Sequence, residues 1–127
     1  MDRNDNITPH FKWSEFVSEE GVRYLEPDGR TASMNSIVIM NNIRQLAWAL
    51  EMLRAFSENP IIINSGFRTH EENEACGGAK ESYHMKGMAV DIDKEFLHTT
   101  LLNDRWPGGY HEYDTFVHLD IGPQRRW

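Results

Sequence analysis

Residues Ser82–Asp91 read SYHMKGMAVD, and the strand that closes this stretch decides the fold. From Met88 onward the side chains alternate, so one side carries Met88, Val90 and Ile92 and the other carries Ala89, Asp91 and Asp93. This alternation predicts a half-buried strand with one face in the core. Gly87 lets the chain bend closely before the strand, so that His84 can fold back beside Asp91.

A second strand of the same kind is predicted near the end of the chain, at residues 116–121. Its apolar face carries Val117, Leu119 and Ile121, and its polar face carries Phe116, His118 and Asp120. The two strands together predict a small sheet that buries one face and presents His and Asp residues on the other.

The other segments predict helices and one further strand. Apolar residues recur at three- and four-residue spacing from Asn35 to Ser57, and Asn59-Pro60 ends that helix. The run Ile61–Ile63 reads as a buried strand. Shorter helices are predicted at Ser14–Phe16, Thr69–Cys76 and Lys94–Leu102, and a loop at Trp106–Gly109. The predicted fold is α+β, a single domain over residues 1–127 with helices packed on one face of a small antiparallel sheet.

Composition limits the classes of function. The chain has 127 residues and a formal net charge of −7, which argues against nucleic acid or an anionic membrane as a partner. The single cysteine, Cys76, cannot form an internal disulfide and is predicted to be a bystander thiol. Residues 1–11 lack the apolar core of a secretory signal. We therefore expect synthesis in the cytoplasm without a signal peptide. We also expect the protein to be a monomer.

His and Asp on the polar strand faces are ligand types that zinc prefers. A lone strand Asp is usually solvated, however, and a lone His is usually a hydrogen-bonded residue. Two such strands favour a metal site, but periodicity alone leaves both interpretations open.

The local motif is more specific than the periodicity. Ser82–Asp91 matches S-x-H-x-x-G-x-A-x-D, and Phe116–Asp120 (FVHLD) follows as a distal partner. Together they resemble the zinc D-alanyl-D-alanine metallopeptidases, in the branch found in bacteria and phages. This superfamily also includes lysostaphin-type enzymes and hedgehog domains. Ser65–Arg68 is similar to the substrate-side turn of that branch, and Gly122–Trp127 to its closing residues.

The resemblance implies a fold of the hedgehog and D-Ala-D-Ala peptidase type, with His84, Asp91 and His118 as ligands of a catalytic Zn²⁺. It also implies that Arg68 faces the substrate as a catalytic and substrate-binding residue. Ser82 would then bind substrate or shape the loop.

The general base is not fixed by the motifs. Many relatives carry an acid three residues before the last ligand, and Thr115 stands there in this chain. The neighbouring acids are Glu112, Asp114 and Asp120. We predict Asp114 as the base, provided that the chain turns before Phe116. Asp120 is its rival, or else it orients a ligand histidine.

These residues lead to two hypotheses on function. The first is a zinc peptidase that cleaves peptide bonds in peptidoglycan stem peptides or cross-links, as a carboxypeptidase or an endopeptidase. It would act on the cell wall, as a phage lysis or virion enzyme does after release. The alternative is a zinc-binding module without turnover that binds the wall or has a structural role, which Thr115 favours.

Overall fold

The computed structural model describes residues 1–127. In chain order its elements are β1 (Asn6–Thr8), β2 (Phe11–Lys12), α1 (Trp13–Phe16), α2 (Glu19–Leu25), α3 (Met34–Ser57), β3 (Ile63–Ser65), α4 (His70–Ala75), a 3₁₀ turn (Tyr83–Lys86), β4 (Ala89–Asp93), α5 (Thr99–Arg105), β5 (Gly109–Glu112), β6 (Phe116–Asp120) and β7 (Arg125–Arg126). Half of the 20 residues that form the hydrophobic core come from α3, β4 and β6. The α+β class predicted from the sequence is confirmed.

The main sheet has five strands in the order β3-β4-β6-β5-β7, and β1 pairs with β2 in a separate hairpin. The predicted antiparallel pairing is correct for β3, β4, β6 and β5. The sequence predicts no strand at Arg125–Arg126, where β7 runs parallel to β5 with Gly109 opposite Arg125, so the sheet is mixed at this edge. The end of the chain therefore turns back after β6 and lies along the edge of the sheet.

The two faces of the sheet differ as the alternation predicts. Val90 pairs with Leu119 and Ile92 pairs with Val117, and all four are fully buried in one core with α3. Each such aliphatic side chain contributes about 1.5–3 kcal/mol through its removal from water. On the opposite face Asp91 pairs with His118. The register that fills the core thus also sets two candidate ligands side by side.

Helix α3 buries one stripe against the sheet. The Ser33 hydroxyl accepts a hydrogen bond from the Ser36 amide and caps the first turn, and Glu58 ends the helix in the left-handed region with φ of 60°. The buried positions recur at the spacing of a helix face and include Ile39, Met40, Ile43, Leu46, Ala47 and Leu50. Val38 and Phe56 belong to the same sequence pattern but are exposed.

Other boundaries differ from the prediction for local reasons. The helix expected at Lys94–Leu102 begins later, at Thr99, because Phe96 takes a left-handed φ of 68° in the turn before it. The strand expected at Ile61–Ile63 is displaced to Ile63–Ser65. Gly109, placed in a loop by the sequence, starts β5, whose residues GYHE show no apolar alternation.

Candidate metal centre

His84, Asp91 and His118 come together on the polar side of the sheet, as the resemblance implies. Their ligand atoms all lie within 4.8 Å of one another. His84 Nε2 is 3.2 Å from Asp91 Oδ1, and His118 Nδ1 is 3.5 Å from the same oxygen. A tetrahedral zinc with bonds of 2.0–2.1 Å holds its ligand atoms roughly 3.3 Å apart. The donor set and its spacing therefore fit Zn²⁺.

The second polar atom of each ligand has a protein partner. His84 Nδ1 lies 2.8 Å from the Gly66 carbonyl oxygen, to which it donates, and this leaves Nε2 for a metal. His118 Nε2 donates to Asp120 Oδ2 at 2.8 Å and leaves Nδ1. These contacts fix which nitrogen of each imidazole is free, as expected of a preformed metal site.

Asp91 is oriented in the same way. Its Oδ2 accepts from the Arg68 guanidinium at 2.9 Å, and this leaves Oδ1 toward the two histidines. Burial acts to raise the pKa of Asp91, but the polar contacts with His118 and His84 and the charge of Arg68 outweigh it and hold the pKa well below its usual range. The carboxylate is therefore ionised and ready to bind a cation at neutral pH.

The 3₁₀ turn delivers His84 to the site. The Ser82 hydroxyl accepts from the His84 amide at 3.1 Å and caps the turn, so Ser82 shapes this loop. Gly87 ends the turn with φ of 71°, and a Cβ there would meet the Ile39 carbonyl oxygen at 2.7 Å. The close bend expected at Gly87 is thus present, and it is pressed against α3.

Asp120 is the most enclosed carboxylate near the site, with its side chain fully buried. Oδ1 accepts from the amides of Gly109 and Gly122, both at 3.0 Å, and Oδ2 accepts from His118 and from Arg125 at 2.9 Å. Burial acts to raise the pKa of Asp120, but the hydrogen bonds from His118, Gly109 and Arg125 lower it below its ordinary value. Asp120 therefore orients His118, the second of the two roles open to it.

The remaining base candidates lie outside the group of ligands. Asp114 and Thr115 are exposed at the tip of the β5–β6 hairpin, which the Tyr113 amide closes by donating to the Phe116 carbonyl oxygen at 2.8 Å. Glu112 is exposed and pairs with Lys94 at 3.0 Å. The turn required for Asp114 is present, but Asp114 is not among the residues that line the ligand cleft.

The ligands open into a cleft of about 740 Å³. Glu81 and Asp91 are the two carboxylates that line it. Arg68 also lines it, with three nitrogens engaged: Nε to Ser65, one terminal nitrogen to Asn73, and the other to Asp91. An apolar cavity of about 440 Å³ between α3 and α5 contains none of the ligands.

Sequence reasoning missed several residues of this cleft. Arg125 and Trp127 reach it from the end of the chain, and Tyr83 and Lys86 stand beside the ligand His84. Tyr83, Lys86 and Glu81 were marked by their position in or next to the motif. Arg125 and Trp127 belong to Gly122–Trp127, the segment similar to the closing residues of the family, but that similarity gave them no role in the cleft, which they reach through the parallel pairing of β7.

The chain belongs to the peptidase M15 family, whose profile matches residues 18–120. Among curated proteins it is similar to the peptidoglycan L,D-endopeptidase MepK of Escherichia coli K12, at 35% identity in an alignment of 82 residues that covers 56% of this chain and 45% of that protein. A probable MepK of Haemophilus influenzae is 30% identical in an alignment of 118 residues that covers 82% of this chain and 61% of that protein.

A zinc D-Ala-D-Ala carboxypeptidase of Streptomyces albus G is 40% identical over 63 residues, 49% of this chain and 22% of that protein. The chain thus spans about half the length of the curated MepK relatives it matches first. The family predicted from the motifs is confirmed. None of the helices has the length and apolar character needed to span a membrane.

Proposed function

We propose that this protein is a zinc-dependent peptidase that hydrolyses peptide bonds of peptidoglycan stem peptides or cross-links. The observation that carries the proposal is the ligand trio, in which each member presents one atom to the centre and has its other polar atom held by the protein. The names of the MepK proteins and of the zinc carboxypeptidase support peptidoglycan as the substrate.

Two neutral imidazoles and one carboxylate give a bound Zn²⁺ a net charge of about +1. When bound, such a zinc supplies a Lewis acid and a water of pKa about 7. The chain's own residues hold this arrangement in place. Gly66 and Asp120 set the imidazole tautomers, and Arg68 holds Asp91 while its guanidinium borders the cleft.

We propose that one of two carboxylates transfers the proton during hydrolysis. Asp114 is the acid predicted from the sequence, and it stands at the tip of the β5–β6 hairpin, whose strand β6 carries His118. Glu81 is the acid, other than the ligand Asp91, that borders the cleft. Either would take a proton from the attacking water and pass it to the leaving amine. Ser82, which also borders the cleft, is proposed to contact the substrate.

The test is to incubate the zinc-loaded protein with purified peptidoglycan, with and without a chelator, and to identify released fragments by mass spectrometry. Hydrolysis adds one water across the bond, so each cut gives one new carboxyl and one new amine. We expect fragments that a chelator suppresses and that His84→Ala abolishes. His70→Ala is the matched control, because His70 is exposed and outside the cleft. The new termini also identify the bond, terminal or internal.

A second candidate is a zinc-binding module without turnover. Two observations favour it. Thr115 stands where many relatives carry the acid. Asp114 and Glu112 do not line the cleft that contains the candidate ligands, and Glu112 pairs with Lys94 instead. Stoichiometric zinc binding with no fragments from any type of wall would support this candidate against the peptidase. A role in phage lysis stays a prediction, to be tested by lysis of whole cells from inside and outside.

A further inference from the structure

Arg125 presents a largely unpaired guanidinium to the cleft. Its side chain makes one hydrogen bond, from a terminal nitrogen to Asp120 Oδ2 at 2.9 Å, and is 48% exposed. A guanidinium carries five N–H donors in a planar fork. Most of the donors of Arg125 are thus free to bind an acceptor that enters the cleft.

Arg68, which the resemblance implies to face the substrate, has fewer free donors than Arg125. Each of its three nitrogens donates within the protein, and its side chain is 17% exposed. Its bond to Asp91 helps to orient a metal ligand. Arg125 is therefore the arginine with more donors available for a substrate anion.

The guanidinium of Arg125 is also held in a defined position. It lies over the ring of Tyr83 at 5.3 Å from the centroid and over the ring of Trp127 at 4.6 Å. Such contacts stabilise a planar cation while they leave its edge free for a bidentate partner. Lys86 lies over Tyr83 as well, at 5.3 Å. This side of the cleft is thus cationic in a chain of net charge −7.

Arg125 stands close to the candidate metal centre. It shares Asp120 Oδ2 with His118, so its terminal nitrogen lies within roughly 6 Å of His118 Nε2, the imidazole nitrogen opposite the Nδ1 that faces the candidate metal position. One extended residue spans about 3.3–3.6 Å. An anion held by Arg125 would therefore belong to a residue close to the bond at the metal.

We propose that Arg125 is a specificity-determining residue that binds a carboxylate of the substrate near the scissile bond. This inference rests on the proposed peptidase function. The carboxylate has two possible sources, the C-terminus of the peptide or a carboxyl group on an internal residue.

Three synthetic stem peptides that differ only in which carboxyl groups are amidated test the proposal. The first has a free C-terminal carboxylate and an amidated internal carboxyl group, the second has a C-terminal amide and a free internal carboxylate, and the third has both groups amidated. We compare the wild type with Arg125→Gln, Arg125→Lys and Lys86→Gln at saturating zinc, and measure bound zinc for each. Arg105→Gln is the control, because it removes the same charge from an exposed site outside the cleft.

At saturating zinc, we expect Arg125→Gln to raise KM for the preferred carboxylate peptide about tenfold more than it raises KM for the neutral peptide. Arg125→Lys should restore part of the preference, since it keeps the charge but not the fork. The preferred peptide identifies the source of the carboxylate. The proposal is overturned if Arg125→Gln keeps the preference, if it impairs all three peptides equally, or if Lys86→Gln alone removes the preference.

Binding of the same peptides to the zinc-loaded protein, measured by calorimetry, separates this proposal from the proposed function. If no peptide is cleaved, the peptidase function fails. Carboxylate-dependent binding that Arg125→Gln loses would still support the role of Arg125. Equal binding of all three peptides, or binding of none, would overturn it.

Discussion

At the scale of single residues, Asp120 holds the imidazole of the candidate ligand His118 through a hydrogen bond of 2.8 Å. Asp120→Asn keeps the shape but places an amide where four donors now converge. We expect zinc affinity to fall about 10- to 100-fold, because partners of metal-ligating histidines fix the ring and its basicity. Competition with a chromophoric chelator measures this change. Asp104→Asn, at an exposed residue of α5, is the control, and equal affinity in both variants would contradict the role.

The general base is a second question of single residues. If Asp114 transfers the proton, Asp114→Ala should lower kcat by about 100-fold or more with zinc content unchanged, and Glu81→Gln should have little effect. If Glu81 acts, the two results are exchanged. Kinetics on a defined stem peptide, with bound zinc measured for each variant, decide between them. Full activity in both variants would exclude both assignments.

We predict that Tyr110 makes the stability of the folded protein depend on pH in the alkaline range. Burial raises the pKa of Tyr110 to about 12, and its hydroxyl donates to the Thr99 carbonyl oxygen at 3.2 Å. The folded state therefore holds the phenol proton above pH 10, where the unfolded chain releases it. The stability from this group is complete below about pH 10 and is lost as the pH rises toward 12. Thermal unfolding across this range should show a decline in Tm that is smaller in Tyr110→Phe than in the control Tyr113→Phe.

At the scale of elements, the 3₁₀ turn that carries His84 depends on Gly87. Gly87→Ala adds a left-handed penalty of about 1–2 kcal/mol and a contact with the Ile39 carbonyl oxygen, so Tm and zinc affinity should both fall. Gly29→Ala is the matched control, because Gly29 has nearly the same φ, 75°, with open space around its Cβ. The difference in Tm between the two variants measures how much the contact with α3 destabilises Gly87→Ala beyond the backbone penalty that both variants share. No difference would show that backbone strain alone acts at Gly87.

Local patterns decided which elements the sequence could predict. The strands β4 and β6 and the helix α3 follow from periodicity, and the trio of ligands follows from a motif whose spacing is short. The strand β5 was missed because GYHE is short and carries both apolar and polar residues without alternation. The place of Arg125 and Trp127 in the cleft depends on the parallel pairing of β7 with β5, a contact between distant segments that the resemblance of Gly122–Trp127 to the closing residues did not predict.

At the scale of the whole molecule, we expect metal binding to be linked to folding. The candidate ligands come from three separate elements, the 3₁₀ turn, β4 and β6, so the unfolded chain has no preformed site. Zinc at 100 times its Kd should stabilise the folded state by about 2.7 kcal/mol. Calorimetry with and without a chelator should show a lower Tm after zinc removal. His118→Ala should show no such shift. A wild-type Tm that is the same with and without the chelator would contradict the metal site.

The four hydrogen bonds of Asp120 have a consequence for how the protein can change over evolution or in the laboratory. The same oxygen holds the ligand His118 and the cleft residue Arg125. A substitution at position 125 that gives access to a new substrate therefore also removes a donor from Asp120 and alters how firmly the imidazole is held. Selection for a new cleavage preference would then act on metal retention as well, and the two traits would be inherited together. Libraries at position 125 should accordingly be screened under limiting and under excess zinc, so that the two effects separate.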